Sequence, residues 1–122
     1  ANLAIEAAAQ LTEIEPQVGR YQEAITELEK VLETDPGIPE IYYNLFLLYK
    51  NTGELTLSPA LLEKAAENLD LYEKAVPDQT ETVVEARVAL EIAIENTNKN
   101  IEAAEQERKE QRRKRGRSLF VR

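Results

Sequence analysis

The sequence predicts an all-α protein: a stack of antiparallel helix hairpins, about five helices in all, with the last one long and projecting. Three observations carry this expectation. Apolar residues recur at three- and four-residue steps along most of the 122 residues. There are only four Gly and five Pro, so breakers are few and loops short. A 34-residue offset relates Gly19 to Gly53, Leu11 to Leu45, Ala8 to Tyr42 and Tyr21 to Leu55, and a period of that length is one helical hairpin in a repeat array. A hairpin of this kind cannot bury its own apolar face, so it stacks on its neighbours and leaves a groove.

The elements follow in order. Leu3, Ile5, Ala8, Leu11 and Ile14 set a first helix over about 2–15, rich in alanine, which Pro16 stops and Gly19-Arg20 turns. A second helix, about 21–34, has the stripe Tyr21, Ala24, Ile25, Leu28, Val31, Leu32 and ends on Asp35-Pro36-Gly37. The third, about 39–51, opens with Pro39 in its first turn and ends at Thr52-Gly53; Ile41, Tyr42, Leu45, Phe46, Leu47, Leu48 and Tyr49 make it the most buried of the set. After an irregular stretch at 54–58, Ser58 caps a fourth helix with Pro59 at its first position. That helix carries Leu61, Leu62, Ala65, Leu69 and Tyr72 and closes at Pro77-Asp78. From Thr80 no breaker appears until Gly116, a helix of about 35 residues and roughly 50 Å. Its apolar positions are dense from Val83 to Ile94, thin to Ile101, Ala103 and Ala104, and absent from Glu105 to Gly116, so its first half reads as core and its second half projects. The chain thus divides into a helical domain at 1–95, a projecting helix with a basic end at 96–117, and an apolar tail at 118–122.

Composition narrows the function. Cys, His, Trp and Met are absent, so thiol chemistry and disulfides are excluded and the compartment is not legible from cysteine. No stretch approaches the roughly 18 apolar residues of a membrane span, and no signal-peptide pattern opens the chain. A chain lacking Met that starts at Ala1 reads as initiator-trimmed or processed, and an intracellular or plastid location after removal of a transit peptide fits that reading. With two serines, no His or Cys and no Gly-rich phosphate loop, no nucleophile–base set can be assembled. No catalytic residue, metal ligand or cofactor is therefore expected, and the many carboxylates read as solvated helix faces.

The net charge of −8 hides a division. Residues 1–107 hold 22 acidic against 7 basic groups, a balance of −15; residues 108–122 hold 8 basic and one acidic group, a balance of +7. Body and tail therefore call for separate partners.

Residues 19–49 resemble the tetratricopeptide repeat family. Gly19, Tyr21, Ala24, Ile25, Leu28, Val31, Leu32 and Pro36 match the second helix of one repeat; Tyr42, Asn44, Leu45, Tyr49 and Gly53 match the first helix of the next. The chain departs from the family at Thr12, where Gly is preferred, at Glu15-Pro16, where an aromatic is expected, and at Phe46, where a small residue is preferred. Ala65, Leu69 and Pro77 match again after about seven extra residues near 54–60. The resemblance covers roughly residues 5–95. It implies antiparallel pairs stacked right-handed, with a concave groove lined by the first helix of each pair. Carried over by register, that groove takes Glu6, Ala9 and Glu13, then Glu40, Tyr43, Asn44, Leu47, Lys50 and Asn51, then Glu81, Val84, Glu85 and Val88. Asn44 matches one position of the clamp by which some members grip a C-terminal carboxylate. The matching positions Ala9, Glu13, Glu81 and Glu85 hold no cation, so an acidic groove would repel that ligand.

The candidate binding residues are then Tyr43, Asn44, Leu47, Lys50, Asn51, Val84, Glu85 and Val88 for a peptide or helix. For Tyr42, Phe46 and Tyr49 core packing is the plainer reading. A second candidate surface is the basic end: Arg108, Lys109, Arg112, Arg113, Lys114, Arg115 and Arg117, followed by the apolar Leu119, Phe120 and Val121. Such a cluster attracts an acidic protein surface, RNA or anionic headgroups, or in the plainest case only complements the helix dipole. It lacks the apolar face of a membrane-surface helix and the interleaved aromatics of base stacking. The function expected is non-catalytic scaffolding in a larger assembly, with a ribosome- or RNA-associated factor as the alternative. Pairing of the long helix with a copy of itself is a third reading; its heptad seam thins after Ile94 to Thr97 and Ile101.

Overall fold

The computed structural model describes the backbone of residues 3–120 and the side chains of residues 15–117. Among them four helices follow one another: α1 (Leu3–Thr34), α2 (Pro39–Thr56), α3 (Pro59–Ala75) and α4 (Thr80–Phe120). No described residue lies in a strand. The chain folds up and down, α1 packing on α2, α2 on α3, and α4 on α3 with a smaller contact to α2.

Three of the expected breaks hold, each for a local reason. After Thr34 the Asp35 carboxylate accepts from the Gly37 N–H at 3.1 Å, which closes the turn. Pro39 then starts α2 with no donor lost. At the α2–α3 junction Ser58 accepts from the Leu61 N–H at 3.3 Å, with Pro59 behind it. At the third, the turn at 76–79 is closed by the Val76 N–H on the Tyr72 carbonyl at 3.0 Å and the Gln79 N–H on the Val76 carbonyl at 3.1 Å.

One expected break does not form and one helix end is displaced, so the helix count is four rather than five. Pro16 lies inside α1, and Gly19 does not take the left-handed conformation a turn would need. Pro16 removes one backbone donor at a cost of about 3 kcal/mol, but the residues on both sides keep helical geometry. The Gln17 amide donates to the Tyr21 hydroxyl at 3.0 Å, one turn on, across the expected break. The first hairpin is thus a single 32-residue helix.

The second correction concerns Gly53, expected to end its helix. It is buried within α2, which runs on to Thr56. A Cβ at this position would lie 2.9 Å from Leu62 Cδ2 and 3.2 Å from the Ser58 carbonyl. Gly53 is therefore a packing glycine that lets α3 start directly against α2. The reversal falls instead on Leu57, at φ 52° and ψ 49°, with the Ser58 N–H returning to the Gly53 carbonyl at 2.9 Å. This is the six-to-one bond of a Schellman ending, made here around a left-handed non-glycine residue. The extra residues near 54–60 are absorbed as one further turn of α2 and this reversal.

The core is one cluster. Leu45, Phe46, Leu62, Ala65 and Leu69 are at most 2% exposed, with Ile25, Ile41, Ala86, Leu90 and Ala93 around them. Burying each large side chain contributes about 1.5–3 kcal/mol. Tyr49 joins three helices: from α2 its hydroxyl donates to the Glu29 carboxylate on α1, and the Lys64 ammonium of α3 sits 5.6 Å from its ring centroid. Burial, and then the Glu29 carboxylate, raise the Tyr49 hydroxyl above its ordinary pKa.

Candidate interaction surfaces

None of the eight groove candidates is buried. On α2, Asn44 and Leu47 are exposed, on the side of the helix away from Ile41, Leu45 and Tyr49. Lys50 is half-buried and pairs with Glu54 at 2.8 Å, one turn along α2. Asn51 is half-buried as well and lines a hollow of about 260 Å³ with Gln17, Tyr21, Glu54 and Leu55, where α1 crosses the end of α2. Tyr43 is only partly available. Its ring stands 5.7 Å from Phe46 and 5.1 Å from Tyr72, both tilted, so it closes the upper edge of the core as well as facing outward. Phe46 and Tyr49 are core residues, at 1% and 7% exposure. Tyr42 is half-buried, and its hydroxyl donates to the Pro36 carbonyl at 3.3 Å.

The side chains of Glu6, Ala9 and Glu13 lie outside the described residues. Their backbone continues the axis of α1 rather than forming a separate helix beside α2.

On α4 the inward seam is Val83, Ala86, Leu90, Ala93 and Thr97, at steps of three and four. Its small residues bring α4 close to α3, and Arg87 ties the pair by donating to Asp70 at 2.7 Å and to Glu73 at 3.1 Å. Thr97, expected on a heptad seam toward a second copy, is only 2% exposed on this inward side. Val84 and Val88 point the other way, 54% and 51% exposed, and Ile92 continues their line at 54%. Ile94 sits at the edge, lining a hollow of about 280 Å³ with Pro59, Leu62, Glu63 and Asn98. Ile92 was not among the sequence candidates; its four-residue step from Val88 was the available signal.

The seven cations at 108–117 are all exposed. The helix passes through Gly116 without a break, so Leu119 and Phe120 are helical in backbone. Their side chains lie outside the described residues, as does all of Val121. Glu105 and Lys109, and Glu110 and Lys114, are spaced four apart in the favourable order, which supports helix where nothing is buried.

Among the described residues no group of three or more carboxylates could hold a metal ion, and no helix is long and apolar enough to cross a membrane. A hollow of about 500 Å³ lies along α1 alone between Gly19 and Lys30, so no second element converges on it.

Residues 14–53 match the family model of the tetratricopeptide repeat. The match spans the last two-thirds of α1 and most of α2; it includes the residues from Gly19 to Gly53 that carried the resemblance and stops short of Ala65, Leu69 and Pro77. Neither the curated proteins nor the solved structures give a match to this chain.

Proposed function

We propose that this chain is a non-catalytic scaffold that holds a peptide or helix against the outward faces of α2 and α4 and docks its basic end on an acidic protein surface. The tetratricopeptide repeat at 14–53 supports a protein-interaction module. The single observation that carries the reading further is the exposure of Asn44, Leu47, Val84 and Val88 on α2 and α4. Apolar side chains left open beside amides and carboxylates suit an amphipathic partner segment, which buries its apolar positions and pairs its polar ones. The basic end suits an acidic protein, since long cationic side chains on every side of an exposed helix recognise charge rather than shape.

Crosslinking mass spectrometry in native extract tests both parts. A photoreactive residue at position 47 is expected to capture a protein that the same residue at Glu63, on α3, does not. Truncation after Glu107 is expected to remove a second set of crosslinks while leaving the first. Equal capture at positions 47 and 63 defeats the groove. If the truncation instead removes crosslinks to RNA, the ribosome-associated alternative replaces protein docking at the tail.

A further inference from the structure

One face of α4 is written twice, in opposite chemistry. Its first half presents Val84, Val88 and Ile92 outward at steps of four, each more than half exposed. Glu81 and Glu85 lie three residues before the two valines; Glu91 and Glu95 lie three residues after Val88 and Ile92. An apolar line on a helix is thereby flanked by two carboxylates on each side, while Arg87, three residues after Val84, is held by Asp70 and Glu73 on α3. All four carboxylates are exposed, and Glu95 has a partner, Lys99, at 3.1 Å in an equally exposed pair.

The second half presents Lys109, Arg113 and Arg117, also at steps of four and all exposed. Lys109 is 25 residues after Val84, and at about 100° per residue the two rows fall within about 20° of one another around the helix. They are about 37 Å apart along it. The same face is therefore acidic and apolar at one end and mainly cationic at the other, where Glu110 stands among the three cations. The bundle lies on the opposite side, against Val83, Leu90 and Thr97, so nothing in the fold obstructs this face.

We infer that α4 pairs antiparallel with α4 of a second copy of this chain, through this face. A two-fold axis near Asn100 sets Lys109, Arg113 and Arg117 of each copy over Val84, Val88 and Ile92 of the other. The fit is chemical as well as electrostatic. Lys and Arg lay their methylene stems on the valines and isoleucine and carry their charges outward to the flanking glutamates. Both ends of the contact are made at once, as a closed isologous interface requires. Parallel pairing sets like charges together and is disfavoured. The inference narrows the proposed groove: Val84 and Val88 serve the pair, while Asn44, Leu47 and Asn51 remain for a peptide.

The test is mass in solution, by analytical ultracentrifugation of the full chain at low and high concentration. The dimer is expected, with its dissociation constant rising at least about tenfold when salt goes from about 0.05 to 0.5 M. One variant carries Glu81→Lys, Glu85→Lys and Glu91→Lys; another carries Lys109→Glu, Arg113→Glu and Arg117→Glu. Each alone is expected to be monomeric, with helix content unchanged by circular dichroism. Mixed in equal amounts they are expected to form a heterodimer, because each now supplies what the other lacks. A wild-type monomer at every concentration overturns the proposal. So does a reversed variant that dimerises like the wild type, or a helical mixture that stays monomeric. Crosslinks at position 47 are scored separately, so failure of this pairing leaves the peptide-binding reading to its own test.

Discussion

The body of the molecule and the far end of α4 are both helical, for different reasons. In the body, from Tyr21 to Thr97, helices exist because each has a face to bury: Ile25 on α1, Leu45 and Phe46 on α2, Leu62 and Leu69 on α3, Val83 and Leu90 on α4. From Glu105 to Arg117 α4 has no tertiary contact to bury and carries exposed charge. There the helix rests on residues of good intrinsic propensity and on glutamate–lysine steps of four. One covalent helix thus joins a region whose conformation is set by packing to one whose conformation is set by its own sequence.

That contrast can be broken first at Phe46. Phe46→Ala empties the centre of the cluster and is expected to cost about 3–5 kcal/mol in denaturant unfolding. Truncation after Glu107, compared at a concentration where the full chain is monomeric, is expected to leave stability within about 0.5 kcal/mol of the full chain, since no core contact is lost. A truncation as costly as Phe46→Ala would show that the two regions are one cooperative unit. Hydrogen exchange separates them further when the chain is dilute enough to be monomeric: amides between 83 and 97 are expected to be protected, and those beyond 105 to exchange as a fraying helix.

Next in size is Gly53. Gly53→Val forces a branched side chain against Leu62 and the Ser58 carbonyl, and a loss of about 2–3 kcal/mol is expected from thermal melting. A loss below about 1 kcal/mol would show that Leu62 and the Ser58 carbonyl give way to the added side chain.

Tyr49→Phe is expected to cost about 1 kcal/mol through loss of the bond to Glu29. It also has a pH signature. The hydroxyl is raised above its ordinary value of 10.0 in the folded state, so the folded protein holds that proton more tightly than the unfolded chain does. The contribution is complete below pH 10 and is lost as pH rises beyond it. Wild type is therefore expected to lose more stability above pH 10 than Tyr49→Phe does; parallel profiles would remove Tyr49 as the cause.

The smallest effect lies at Leu57. Leu57→Gly relieves a left-handed residue that is about one-third exposed, at 36%. A gain of about 0.5 kcal/mol is expected, the relief of about 1 kcal/mol being partly offset by the added freedom of glycine in the unfolded chain. A loss would mean that Leu57 packs more than its exposure suggests.

How legible the molecule was depends on the range of the forces involved. The amino-acid sequence by itself determined the all-helical class, the reversals at 35–38 and 76–79, the cap at Ser58 and the onset of α4. These depend on residues within a few positions of each other: Asp35 with Gly37, Ser58 with Leu61, Pro39 and Pro59 at helix starts. It also determined the charge division along the chain. Hydrophobic spacing alone counted Leu47, Val84 and Val88 with the core; it was the register of the family resemblance that set them and Asn44 apart, and the structure leaves all four exposed. Only the tertiary structure decided that Pro16 and Gly19 stay within one helix, since a breaker's cost is weighed against the helical residues on both sides. It alone decided that Gly53 is a contact with Leu62 and not a stop, that Tyr49 reaches Glu29 and Lys64, and that Thr97 faces α3's side of α4 and not a second copy. The continuity at Pro16 and Gly19 turns on the sum of preferences along a whole helix, and the other three on what another helix brings alongside; a list of local preferences specifies neither.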